Sequence, residues 1–278
     1  MPALPSLTFA LRRPLQSTLR HFHVSTSLQM SVALSAAPLK SKNTLSNVND
    51  SHFLTLLKHS ISQRHPTQAL SALAKLQTPP DASVLKQLAV LLARQKKNRA
   101  HALQAFEVLR EVYQSPGLKP DDYMKLASIY VMDACLRFRM LDQAMELYDE
   151  ASNQAVVLDL PAYNGLLTAL VDAKRLDEAT EILRDIVRGE DVCPMEQTFL
   201  PVLLELVKSH EYDQVTDLMR QGATRGVEFT SETFYPLLEI TEKDSSSSDS
   251  LIKFLSYVEE AWDEYQDFDS EDDDDTIE

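Results

Sequence analysis

Residues 161–183 read PAYNGLLTALVDAKRLDEATEIL, two apolar-periodic segments joined by the basic turn Lys174–Arg175. Leu166, Leu167, Leu170 and Val171 recur at helical spacing in the first, a helix A. Leu176, Ala179, Ile182, Leu183 and Ile186 recur in the same way from the second, a helix B. Ala179 marks a close approach of the two helices, because a larger side chain there would push them apart. Asp177 and Glu178 fall in the first turn of helix B, where acids favour the helix N-terminus. Such a hairpin cannot bury both apolar faces alone, so the question is whether it repeats.

It does. RLDEATEILR has counterparts in MLDQAMELYD from Met140 and EYDQVTDLMR from Glu211, and looser ones in NRAHALQAFE from Asn98 and HPTQALSALA from His65. Aligning the small residue gives Ala69, Ala102, Ala144, Ala179 and Val215, spaced 33, 42, 35 and 36 residues apart. A second anchor, Tyr163, Phe199 and Phe234, heads the preceding helix at spacings of 36 and 35. Two anchors keeping step predict an all-α solenoid of about five helix-turn-helix repeats over residues 50–240. The 42-residue interval predicts a longer helix pair in the third unit. Gly189 follows a helix B, with Gly117, Gly222 and Gly226 in comparable places, as expected of residues that end helices in the left-handed conformation.

Composition narrows the chemistry. The chain has 278 residues, 44% of them hydrophobic, and only five glycines, so it holds no glycine-rich phosphate loop. Cys135 and Cys193 form no CxxC pair, which argues against a disulfide scaffold or a thiolate zinc site. No apolar run reaches the roughly 18 residues of a membrane-spanning helix. No cofactor is implied.

The net charge of −15 is unevenly spread. Residues 1–49 contain no acid but carry Arg12, Arg13, Arg20, Lys40 and Lys42 among many hydroxyl residues, the composition of an organelle import signal. RHFHVSTSLQ resembles a mitochondrial processing site through Arg20, Phe22 and Ser25, which implies a matrix address, a signal over 1–29 and a linker over 30–49. The alternatives are a plastid address or a basic tail on a cytosolic protein. Residues 241–250 read as a linker, 251–268 as a capping helix and 269–278 as an acidic tail. Residues 241–278 hold 15 acids against Lys243 and Lys253, leaving residues 50–240 at a net −7.

PAYNGLLTALVDAKRLDEATEIL resembles the pentatricopeptide repeat, with its Tyr-Asn start and Arg-Leu-Asp-Glu-Ala join, and GLKPD from Gly117 resembles that family's end of repeat. The resemblance covers roughly residues 50–240. It implies a right-handed superhelical solenoid and an organellar protein that binds single-stranded RNA, with one base read per repeat by two side chains. Carried over, the first reader is Asn164, Leu200 or Tyr235 and the second is Met195 or Thr230, with Ile129 and Asp159 in the third unit. Asn164 and Thr230 fit the pattern; Leu200 and Met195 depart from it, so the code is largely eroded. Some members of the family carry a catalytic domain after the repeats. Here the His-x-Glu and paired cysteines of a deaminase are missing, and the C-terminal acids are consecutive, so no enzyme is expected.

The bases follow their own pattern. Arg64, then Arg94, Lys96, Lys97 and Arg99, then Arg137 and Arg139, then Lys174 and Arg175, then Lys208 fall at or near successive A–B turns. Stacked turns would align them into a basic edge able to meet RNA phosphates. Cations also sit well at the C-terminus of a helix, so capping is the competing account. Two functions follow: an RNA-binding accessory factor in organellar gene expression, or a protein–protein scaffold within a large assembly such as the mitochondrial ribosome.

Overall fold

The computed structural model describes residues 43–242 and 248–271. The expected import signal, residues 30–42 of the linker after it, and residues 272–278 of the acidic tail lie outside the described residues. Twelve helices are present among the described residues: α1 (Asn43–Ser62), α2 (Pro66–Leu73), α3 (Ala82–Ala93), α4 (Arg99–Tyr113), α5 (Asp122–Arg137) and α6 (Leu141–Asn153), then α7 (Leu160–Asp172), α8 (Leu176–Arg188), α9 (Glu196–Lys208), α10 (Tyr212–Thr224), α11 (Ser231–Thr241) and α12 (Asp249–Glu271). They pair as six hairpins, one more than the repeat anchors suggest, because α12 takes the place of a sixth helix B. Helix α1 begins before the expected end of the linker, and α12 carries the helix past Asp269 into the expected tail.

Odd-numbered helices stack on one another from α1 to α11 and form one layer; even-numbered helices form the other, with α4 on α6, α8 on α10 and α10 on α12. The aligned small residues occupy the seam. Ala69, Ala102, Ala144, Ala179 and Val215 are all completely buried or within 1% of it. At that depth interaxial spacing is set by backbone approach rather than by side-chain volume. The aromatic anchors Phe199 and Phe234 are buried in the odd layer, while Tyr163 is half-buried and meets Tyr148 edge-on.

Four of the A–B turns share one closure. Arg64, Arg139, Lys174 and His210 adopt φ of 59°, 55°, 62° and 60°. In each case the next N–H bonds back five residues, His65 to Ser60, Met140 to Cys135, Arg175 to Leu170 and Glu211 to Leu206, all at 2.9 Å. This pattern satisfies carbonyls orphaned at the helix end. A side chain costs about 1 kcal/mol in the left-handed conformation, and a cation there offsets part of that cost against the negative end of the helix dipole. The α3–α4 turn is two residues longer and has no left-handed residue, because Asn98 instead starts α4 by accepting the N–H groups of Ala100 and His101 at 3.0 and 3.3 Å.

The glycines behave differently from expectation. Gly117 and Gly226 do take positive φ, 75° and 81°. Gly189 has φ −69° and is extended. Gly222 lies inside α10, where a β-carbon would come within 2.8 Å of Phe199 and 2.9 Å of Phe229. It is a close-approach residue. The long 42-residue interval is also distributed: compared with the next interval, α4 contributes two of the seven extra residues, the loop before α5 two and α5 itself three.

Replacing Ala179 with Leu forces α7 and α8 apart at a site that is 0% exposed. The expected loss is about 1–3 kcal/mol of unfolding free energy, measurable by urea titration, against no more than about 0.5 kcal/mol for the exposed control Thr168→Leu.

Candidate nucleic-acid interface

The two residues that would read a base fall at fixed places in each unit. Asn164, Leu200 and Tyr235 are each the fifth residue of their helix, α7, α9 and α11. The partner position is the N-cap of the next odd helix: Asp121, Asp159, Met195 and Thr230. Because α5 is three residues longer than α7, its fifth residue is Leu126, while Ile129 matches Asn164 when the helix ends are aligned.

Capping occupies most of the partner positions. Asp121 accepts the Met124 N–H at 2.7 Å, and Asp159 accepts the Ala162 N–H at 3.0 Å. Thr230 is fully engaged. Its N–H and hydroxyl donate to the Glu196 carboxylate at 2.8 and 3.0 Å, and its oxygen accepts the Glu232 N–H at 3.2 Å. It holds α11 to α9 and does not present a free hydroxyl to a base, contrary to the sequence expectation. Asn164 is half-buried, and its amide oxygen is shut away from solvent without a partner. A base edge can meet that oxygen only after the side chain rotates outward.

The second unit holds a pair that pattern reading missed. The fifth residue of α3 is Lys86, 7% exposed at its side chain, and its ammonium donates to Asp121 at 2.5 Å. The two places that would read a base here bond to each other. The Lys86 bond holds the Asp121 carboxyl below its ordinary value of 3.8, with the Met124 N–H adding to it. The clue in the sequence was a lone lysine in the apolar run ASVLKQLAVLLA, one repeat before an N-cap aspartate.

The basic edge divides along its length. In the fourth and fifth turns the cations are neutralised. Lys174 pairs with Glu205, and Lys208 reaches the same carboxylate at 3.3 Å. Lys174 is the main reason the Glu205 carboxyl lies below its ordinary value of 4.5. Arg175 is shared between Glu178 at 2.6 Å and Asp142 at 2.8 Å. Arg137 pairs with Asp133 one turn back on α5. Arg94 lies over the Tyr130 ring at 4.6 Å and donates to its hydroxyl at 2.8 Å. Arg64, Lys96, Lys97, Arg99 and Arg139 are exposed and make no ion pair among the described residues. All five belong to the first three A–B turns. Cys135 is buried in α5, and Cys193 is exposed in the loop before α9. Among the described residues no cluster of His, Cys, Asp and Glu is placed to hold a metal ion, and no helix is long and apolar enough to cross a membrane.

No family model matches the chain. A chloroplastic pentatricopeptide repeat-containing protein of Arabidopsis thaliana is 25% identical over 139 residues, covering 50% of this chain. The 35- and 36-residue intervals of paired helices agree with that similarity.

The array is similar to a pentatricopeptide repeat array.

The chain spans 26% of that relative's length. Two solved structures resemble it loosely. The pentatricopeptide repeat protein PPR10 in complex with an 18-nucleotide psaJ RNA element has a TM-score of 0.46 at 21% identity, covering 79% of this chain and 32% of that one. The pentatricopeptide domain of Arabidopsis thaliana protein-only RNase P 1 in complex with tRNA has a TM-score of 0.44 at 14% identity, covering 64% and 89%. At these scores the likenesses add nothing to what the chain's own helix order establishes.

The Lys86–Asp121 bond has a pH signature. Because Asp121 is depressed when folded, its stabilisation is complete above about pH 3.8 and is lost as pH falls through its lower folded value. Asp121→Asn is expected to lower stability at neutral pH and to reduce the difference from wild type as pH falls below 3.8. Urea midpoints across that range decide it, since a difference that stays constant at every pH would show that the Asp121 charge contributes no stability.

Proposed function

We propose that this protein binds single-stranded RNA by its phosphates along the first three A–B turns and works as a non-catalytic accessory factor in organellar RNA processing, stability or translation. The observation that carries this reading is the set of five unpaired cations, Arg64, Lys96, Lys97, Arg99 and Arg139, on one edge of a body whose net charge is −7. In an acidic protein, ion pairing would be the default for such residues, and it is what Lys174, Arg175 and Lys208 adopt. Binding of this kind is sequence-tolerant. The code positions support that: Thr230 is engaged by Glu196, Lys86 by Asp121, and Leu200 and Met195 offer no base-edge hydrogen bond.

The acid-free composition of residues 1–49 supports an organellar address, and Arg20, Phe22 and Ser25 support mitochondria over plastids. Fusing residues 1–49 to a fluorescent reporter tests the address: co-localisation with a matrix marker is expected, and a diffuse or plastid signal contradicts it.

A scaffold role, for example within the mitochondrial ribosome, is supported by a different observation. The later turns are self-neutralised, and Met195 and Tyr235 stand 55% and 64% exposed. RNA and protein contacts can therefore occupy different parts of the array.

The RNA reading is tested by fluorescence anisotropy with a single-stranded oligonucleotide at several salt concentrations. Lys96→Glu with Lys97→Glu is expected to weaken binding about tenfold at low salt and to reduce the log–log salt slope by about 1.4, the loss of two phosphate contacts. Lys174→Glu is expected to change little, because that ammonium already faces Glu205. No binding by the wild-type chain at low salt, or equal losses from both variants, contradicts the proposal.

A further inference from the structure

The last hairpin, α11–α12, has a surface opposite in character to the basic turns. Tyr235 leaves 64% of its surface in solvent. It is nevertheless fixed in place, since Trp262 from α12 packs against it with ring centroids 5.2 Å apart at 61°. Trp262 is itself set against the buried Phe234 at 5.5 Å and 78°. One side of the Tyr235 ring is thus buttressed and the rest is open.

The surroundings are acidic. Glu232 and Glu239, three residues before and four after Tyr235, share its helix face and are exposed. Helix α11 has no basic residue, and on α12 Glu259 and Glu260 are exposed, with Lys253 the one base among its described side chains. A nucleic-acid phosphate would be repelled here, whereas a cation would be attracted by both the carboxylates and the ring's negative face.

Elsewhere the chain fills such places itself. Arg94 lies 4.6 Å from the centre of the Tyr130 ring, and Arg220 lies 5.1 Å from that of Tyr257. No cation of the chain lies over Tyr235 among the described residues, and the A–B turn before it supplies Ser209, His210 and Glu211 rather than an arginine.

We propose that the α11–α12 face docks a positively charged segment of a partner protein, with an arginine or lysine side chain seated on the Tyr235 ring between Glu232 and Glu239. The guanidinium fits best, because its flat, weakly hydrated plane can lie on the ring while its edges donate to the carboxylates. This goes beyond RNA binding and does not depend on it, since the basic turns and the terminal hairpin carry opposite charge at different repeats.

The chain contains one tryptophan, Trp262, and it touches Tyr235, so its emission reports on this face. Full-length protein is titrated with hexa-arginine, affinity being read by calorimetry and location by Trp262 emission. A saturable emission change is expected. Tyr235→Phe should retain the affinity and Tyr235→Leu should weaken it about threefold to fivefold, the value of one exposed cation–ring contact. Glu232→Gln with Glu239→Gln should weaken it further and reduce its salt dependence. Because Tyr235 is largely exposed, its variants are expected to keep wild-type helicity and unfolding midpoint. Three results overturn the proposal. Equal affinity for Tyr235→Leu would mean general attraction to an acidic chain. A Trp262 response to oligo-uridine instead of hexa-arginine would mean base stacking. Self-association abolished by Tyr235→Leu would make a second copy the occupant.

Discussion

Helix pairs in this protein close on residues that have almost no side chain. Ala69, Ala102, Ala144 and Ala179, with Val215 in the same register, are buried, and side chains this small allow each even helix to approach its odd partner closely. The apolar faces on either side then have nowhere to go except onto the neighbouring hairpins, which is why the unit stacks. Where two bulky residues meet instead, as Phe199 and Phe229 do, Gly222 provides the missing space. The same requirement explains how the chain tolerates intervals of 33 to 42 residues: helix ends and loops vary in length while the seam residue stays in register.

Closing the hairpins so tightly sets the chemistry of their edge. A short A–B turn needs one left-handed residue, and the chain uses Arg64, Arg139, Lys174 and His210 there rather than glycine. A repeated backbone conformation thereby becomes a repeated exposed side chain at four of the hairpins. Whether each is available to a ligand depends on neighbouring carboxylates. Glu205 on α9 takes both Lys174 and Lys208, and Asp142 on α6 takes Arg175, while Arg64 and Arg139 have no such neighbour. The array is uniform in backbone and graded in charge, from open cations at its start to an acidic hairpin at its end.

The repeat was legible because it is written twice, in small residues on one helix and aromatics on the other. The sixth hairpin was legible only in its separate helices, the one headed by Phe234 and the capping helix over 251–268, since α12 has no small-residue anchor and joins through Phe254 stacked on Tyr212 and through Trp262. The positions of Asn164 and Thr230 followed from the pattern, but their bonding did not. Thr230 is consumed by Glu196, a residue 34 positions away that meets it only when α9 and α11 stack. The basic edge was visible as a recurring run of Lys and Arg. Its division into neutralised and open halves depends on carboxylates in adjacent repeats, which linear order does not bring together.

The central claim is that the array offers RNA its first three turns and withholds its last hairpin. Photo-crosslinking of full-length protein to a single-stranded RNA, followed by peptide mass spectrometry, tests this most directly. Crosslinks on peptides containing Arg64, Lys96, Lys97, Arg99 and Arg139, with none on α11 or α12, are the predicted result. Crosslinks concentrated along Asn164, Leu200 and Tyr235 would contradict it and would restore base reading as the way this chain meets RNA.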